Sequence, residues 1–293
     1  MNSALRVGLL SLAATSCTVA DREPASSAEA NLAAPSLATP VSFRVPSDSE
    51  VSDAEILRSL RRGRALMRNT SDSLPAHVGG RLQCVSCHVK DGTQKNALSL
   101  IGVYSRFPQY RTRTGRVDVI EDRINDCFER SLNGRAIDRA GPDMRDLVTY
   151  MAFLSRGVPA GAHVDGGQGT PPIVPPLVGD TVRGAGLYAT TCAPCHGIAG
   201  QGTNAAPPLW GPQSFNIGAS MARVRTAAAF IRAAMPQTLP GSLSAQQAFD
   251  LAAYINSHPR PDFAKKTMDW PRGDPPPDVP YATRGKRRAT NND

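Results

Sequence analysis

Cys84-Val85-Ser86-Cys87-His88 returns 108 residues later as Cys192-Ala193-Pro194-Cys195-His196. Two thiols three residues apart can each add to a vinyl group of one haem, and the histidine that follows then lies beneath the iron as its proximal ligand. A lone pentapeptide of this kind also fits a zinc knuckle or a redox dithiol. Two copies in one 293-residue chain point to two covalently bound haem c groups. The expected attachment residues are therefore Cys84, Cys87, Cys192 and Cys195, with His88 and His196 on the metal.

The cysteines outside these motifs are Cys17 and Cys127. Cys17 falls in an export-type N-terminus: Arg6, the apolar run Val7–Ala14, then small residues, too short to span a bilayer. Residues 1–20 are read as a signal peptide and the protein as periplasmic. Cleavage after Ala20 competes with a lipoprotein-like box, Leu12-Ala-Ala-Thr-Ser-Cys17, in which Cys17 is lipidated. Membrane contact is expected only through such an anchor. Residues 21–48, rich in Ala, Ser and Pro, read as a flexible leader.

Beyond the leader the chain divides at a Gly- and Pro-loaded stretch, 156–180, read as a linker between domains 49–155 and 181–260; an irregular basic tail, 261–293, follows. Each domain opens with a helix carrying a glycine (Arg62-Gly63 and Arg183-Gly184) and closes with one carrying a tyrosine (Tyr150 and Tyr254). In the first closing helix Met144, Leu147, Val148, Met151 and Leu154 keep helical period. This arrangement resembles class I cytochrome c, in which the first and last helices cross closely at a glycine. The expected fold is all-α, two such domains in tandem. Aromatic content of 5% suits a core partly supplied by porphyrin.

A c-type haem needs a sixth ligand, usually Met or His. Met235, before Pro236 and 39 residues beyond His196, is the expected one in the second domain, with Met221 and Met268 as rivals. The same count from His88 reaches Cys127, again 108 residues before Met235. Cys127 is thus the expected distal ligand of the first haem. Met144, Met151, His77 and His163 are the other candidates, and a small buried thiol is the structural alternative.

The charge is +8, from 28 Arg and 5 Lys against 25 acidic residues. Nine arginines and seven acidic residues lie between Arg106 and Arg145, so most of the local field cancels and the arginines act as discrete groups. No arginine run is interleaved with aromatics, and nucleic acid is not an expected partner.

Phe107-Pro-Gln-Tyr-Arg-Thr-Arg113 and Glu121-Asp-Arg-Ile-Asn-Asp-Cys-Phe-Glu-Arg-Ser-Leu-Asn-Gly134 closely resemble the dihaem thiosulfate dehydrogenases, the TsdA family, across about residues 50 to 260. The likeness to the A subunit of the Sox complex is more distant. The resemblance implies oxidative coupling of two thiosulfates to tetrathionate, or the reverse. It also implies that Cys127 both ligates the catalytic haem and reacts with sulfur, and that Arg113, Arg123 and Ser131 line the substrate site. The chain departs at Ala234, where some members carry a lysine that exchanges as ligand. Expected partners are thiosulfate, tetrathionate and a small soluble acceptor, such as a c-type cytochrome or a high-potential iron-sulfur protein. A non-catalytic dihaem electron-transfer subunit is the competing function, though such a carrier has no need of Cys127 in an arginine frame. A Sox-type conjugating subunit is a third reading and requires a partner chain.

Overall fold

A computed structural model describes residues 40–283; the signal region, Cys17 and the last ten residues lie outside that range. The helices are α1 (Ala54–Arg68), α2 (Thr70–Ser73), α3 (Ile120–Arg130), α4 (Pro142–Leu154), α5 (Thr181–Thr191), α6 (Ala193–His196), α7 (Val224–Ala234) and α8 (Ala245–Ser257). A short antiparallel hairpin joins β1 (Gln109–Arg111) to β2 (Arg116–Asp118). The fold is mainly helical, as the repeat implies.

Three of the long helices start where the N-cap side chain supplies a partner for the first free N–H groups. Asp53 caps α1, accepting from Glu55 N and Ile56 N. Asp180 does the same for α5, and Ser244 with Gln247 forms a capping box on α8. Pro142 opens α4 without loss of a needed donor. In α1 the buried Leu60, Gly63, Leu66 and Met67 form one face.

The two helix pairs cross by the same device. A Cβ on Gly63 would lie 2.0 Å from the carbonyl oxygen of Asp146 on α4, and one on Gly184 would lie 2.2 Å from that of Asp250 on α8. Only glycine permits this approach. The preceding arginine then reaches the carboxylate of the same facing residue: Arg62 pairs with Asp146, and Arg183 Nε donates to Asp250 Oδ2 at 2.7 Å. Tyr150 and Tyr254 each set their Cβ against the crossing glycine. Around these crossings lie two cores, one containing Leu60, Met67, Phe128, Met144 and Leu147, the other Tyr188, Phe249, Leu251 and Ala252. Each fully buried side chain of this size stabilises by roughly 1.5–3 kcal/mol. Partly buried Met221 packs against both.

Two segments without helical period nonetheless pack onto the first domain. The first part of the stretch read as a linker is structural: Val164 is fully buried and bridges Val41, and Ser99 pairs with Gly169. Those contacts also draw the end of the expected leader onto the first domain. Nor is the tail loose where it is described. Phe263, Asp269 and Trp270 are buried, and Asp269 forms a two-pronged ion pair with Arg130 of α3. Its prolines and lack of period hide this, because its contacts are made by single side chains and not by a repeating face.

Candidate active site

Helix α3 presents Arg123 and Cys127 one turn apart, so both project from one face. Arg123 Nη1 donates to Cys127 Sγ at 2.7 Å. Burial alone pushes the Cys127 thiol up; the Arg123 guanidinium, with His88 beside it, brings it down to about 7. The Cys127 charge in turn raises the pKa of Arg123.

The sequence-predicted residues converge here. A small cavity of about 50 Å³ is lined by Cys87, His88, Arg113, Arg123, Cys127 and Ser131, among others. A second, on the apolar side, joins Cys84, Cys87, His88, Cys127, Ser131 and Met151. Ser131 is the C-cap residue of α3. Arg113, just beyond β1, is buried and donates from Nη1 to Gly218 O at 2.9 Å. Met221 and Ser220, from the second half of the chain, also reach the first cavity.

The other motif has its own cavity of about 300 Å³, lined by Cys192, Cys195, His196, Met221, Met235 and Pro236 together with apolar side chains. Met235 ends α7 as its C-cap. Met221 thus stays near both sites, while Met268 is 60% exposed and apart from them. On the first side Met144 is core, and Met151 lines the cavity. His77 Nδ1 is engaged by the carbonyls of Arg135 and Ala136, and His163 Nδ1 by Gln168.

Both motif histidines are held in the same way, in a form suited to ligating a metal. His88 Nδ1 lies 2.7 Å from Leu98 O, and His196 Nδ1 lies 2.8 Å from Pro207 O. A carbonyl only accepts, so Nδ1 carries the proton and Nε2 keeps its lone pair for iron. Burial lowers the His196 pKa and favours that neutral form. The paired thiols, the imidazole and the apolar cavity at each motif fit a c-type haem.

Asp126, Arg130, Asp269 and Trp270 were not foreseen as part of the site. Asp126 faces Arg111, Arg123 and Arg130. Its burial alone pushes its pKa up, but these cations bring it down to about 2. Arg130 is held by Asp126 and Asp269, and Trp270 lies under Arg113, whose guanidinium carbon is 4.7 Å from the ring centroid. The i, i+4 spacing of Asp126 and Arg130 was a readable signal for the first pair. No local pattern points to Asp269 or Trp270.

Two glycine-crossed helix pairs, each enclosing a Cys-x-x-Cys-His motif beside an apolar cavity, define a two-domain cytochrome of the c type. Residues 79–160 match the family model described as SoxA/TsdA, cytochrome c domain, and residues 179–255 that of cytochrome C oxidase, cbb3-type, subunit III. The chain is similar to the thiosulfate dehydrogenase of Allochromatium vinosum, 44% identical over 78% of this chain and 88% of that protein. It is similar to that of Psychrobacter arcticus at 42% over 81% and 74%. A solved thiosulfate dehydrogenase (TsdBA) from Marichromatium purpuratum superposes with a TM-score of 0.70 at 38% identity, covering 75% of this chain and 50% of that one. The chain therefore spans about half the length of that solved protein. It belongs to the thiosulfate dehydrogenase family, whose cytochrome c domains carry haem c.

Proposed function

We propose that this chain couples two thiosulfates oxidatively to tetrathionate, with two bound haems and an external electron acceptor. The observation that carries the reading is the partly buried cluster of His88, Cys127 and Arg123, with Arg113 and Ser131 on the same cavity. An electron carrier needs neither a cationic cavity nor a thiolate nucleophile.

His88 and Cys127 would hold the first haem, attached at Cys84 and Cys87, and His196 and Met235 the second, attached at Cys192 and Cys195. The haems supply acceptance of the two electrons, one each. Arg113 and Arg123 bind the anionic oxygens and offset the repulsion between two dianions, and Ser131 adds a hydrogen bond. Arg123 also keeps the Cys127 sulfur anionic and nucleophilic. A bond forms between Cys127 Sγ and the sulfane sulfur of one thiosulfate with loss of two electrons, giving a protein S-thiosulfonate. The sulfane sulfur of a second thiosulfate then attacks the outer sulfur of that adduct. Tetrathionate leaves, the S–S bond to Cys127 breaks, and the thiolate returns. The export-type N-terminus supports a periplasmic setting, with a small c-type cytochrome or high-potential iron-sulfur protein as acceptor.

Purified protein mixed with thiosulfate and ferricyanide should reduce ferricyanide only when thiosulfate is present, and Cys127→Ala should abolish the reaction. Absence of turnover in the wild-type protein in either direction sinks the proposal, and full activity in the variant refutes the role of Cys127.

A further inference from the structure

Past α8 the chain doubles back from the second domain onto the first, and its buried tip meets the arginines around Cys127. The two guanidiniums there are held differently. Arg130 is neutralised by Asp126 and by Asp269, whose two oxygens lie 2.7 and 2.8 Å from its nitrogens; Tyr281 Oη donates to Asp269 at 2.6 Å. Arg113, only 7% exposed, has no carboxylate partner within ion-pair distance among the described residues. It rests on the face of Trp270, and Trp270 N donates to Arg113 O at 2.9 Å.

An aromatic face fixes a guanidinium without cancelling its charge, whereas a carboxylate would compete with an incoming anion. Trp270 is itself held firmly. It is 4% exposed and keeps a left-handed φ of 50°, a conformation disfavoured for a non-glycine residue and kept only where the surroundings impose it. Asp269 on one side is locked to Arg130, and Pro271 on the other packs against Gly115. The geometry points to Trp270 as a positioning residue that holds Arg113 charged, unpaired and directed at the Cys127 cavity. The inference rests on Arg113 as a thiosulfate-binding group.

The test is equilibrium binding of thiosulfate to the fully reduced holoprotein, followed by calorimetry, alongside steady-state turnover with ferricyanide. Trp270→Leu should weaken binding and raise KM about ten-fold, the scale of a desolvated cation–π contact. Its kcat should stay within about two-fold, with haem spectra near those of the wild type, and Trp270→Phe should recover most of the affinity. Wild-type affinity in Trp270→Leu overturns the inference, as does a loss of kcat at constant KM. Lack of rescue by Phe, or no thiosulfate binding to the wild-type protein, overturns it as well. Binding without turnover would instead sink the proposed reaction and leave Trp270 in place.

Discussion

Arg123 and Cys127 stand four residues apart on one helix, so the cation that would hold substrate also governs the sulfur that would react with it. Substituting Arg123 therefore removes two functions together. Arg123→Met should lower kcat/KM for thiosulfate about 50-fold or more, since a hydrogen bond to a charged group is worth roughly 1.5–3 kcal/mol and a second effect adds to it. Steady-state kinetics on the purified variant measures this, and a loss under about three-fold would contradict the arrangement. At this scale much of the site was legible. The repeat set Cys127 in register with Met235, and Arg113, Arg123 and Ser131 came from the family resemblance of the Phe107–Arg113 and Glu121–Gly134 stretches. The partners were less legible: the i, i+4 spacing of Asp126 and Arg130 marks a pair, but only the fold places it against Arg111, Arg123 and Asp269.

At the scale of elements, the crossings depend on two glycines and the carboxylates facing them. Gly184→Ala would force a methyl group onto the Asp250 carbonyl, and the helix pair would have to separate. The expected loss is about 2–3 kcal/mol, measured as a drop in denaturant midpoint by circular dichroism; an unchanged midpoint would refute the close crossing. Asp250 accepts from Asp180 N at 2.8 Å, from Arg183 Nε at 2.7 Å and from Gln246 Nε2 at 2.8 Å. The Arg183 hydrogen bond is the main cause of its lowered pKa. A carboxyl whose folded pKa is depressed gives stability that is present above its unfolded value of about 3.9 and lost as pH falls through the folded one. Asp250→Asn should thus cost about 1–2 kcal/mol near neutral pH and flatten the acid side of the stability profile below about pH 4. Denaturant titrations across pH would show both effects. Long helices such as α4 announce themselves by period. Helix α3 was missed although Ile120, Ile124 and Phe128 keep a four-residue spacing and are buried, because its charged residues outnumber the apolar ones and mask that stripe.

Over the whole molecule, the two domains are tied by chain that looks unstructured in sequence. Arg130 and Asp269 are 139 positions apart and both buried, so breaking their pair should loosen the return of the tail onto the first domain. Asp269→Ala should destabilise the protein by about 3 kcal/mol, the usual scale for stranding one partner of a buried ion pair. A denaturant midpoint like that of the wild type would argue that the tail contributes nothing. Such contacts leave no local trace, since a lone Asp-Trp between prolines has neither period nor capping signal, and only the folded chain brings it beside Arg113.

The central claim is that the sulfur of Cys127 forms a covalent bond to substrate sulfur. Incubating the holoprotein with tetrathionate should let the Cys127 thiolate displace thiosulfate and retain the other half as an S-thiosulfonate. Peptide mass spectrometry should find that added mass on the Cys127 peptide, removable by a thiol reductant and absent in Cys127→Ala. Unmodified Cys127 in protein that turns tetrathionate over would contradict the account.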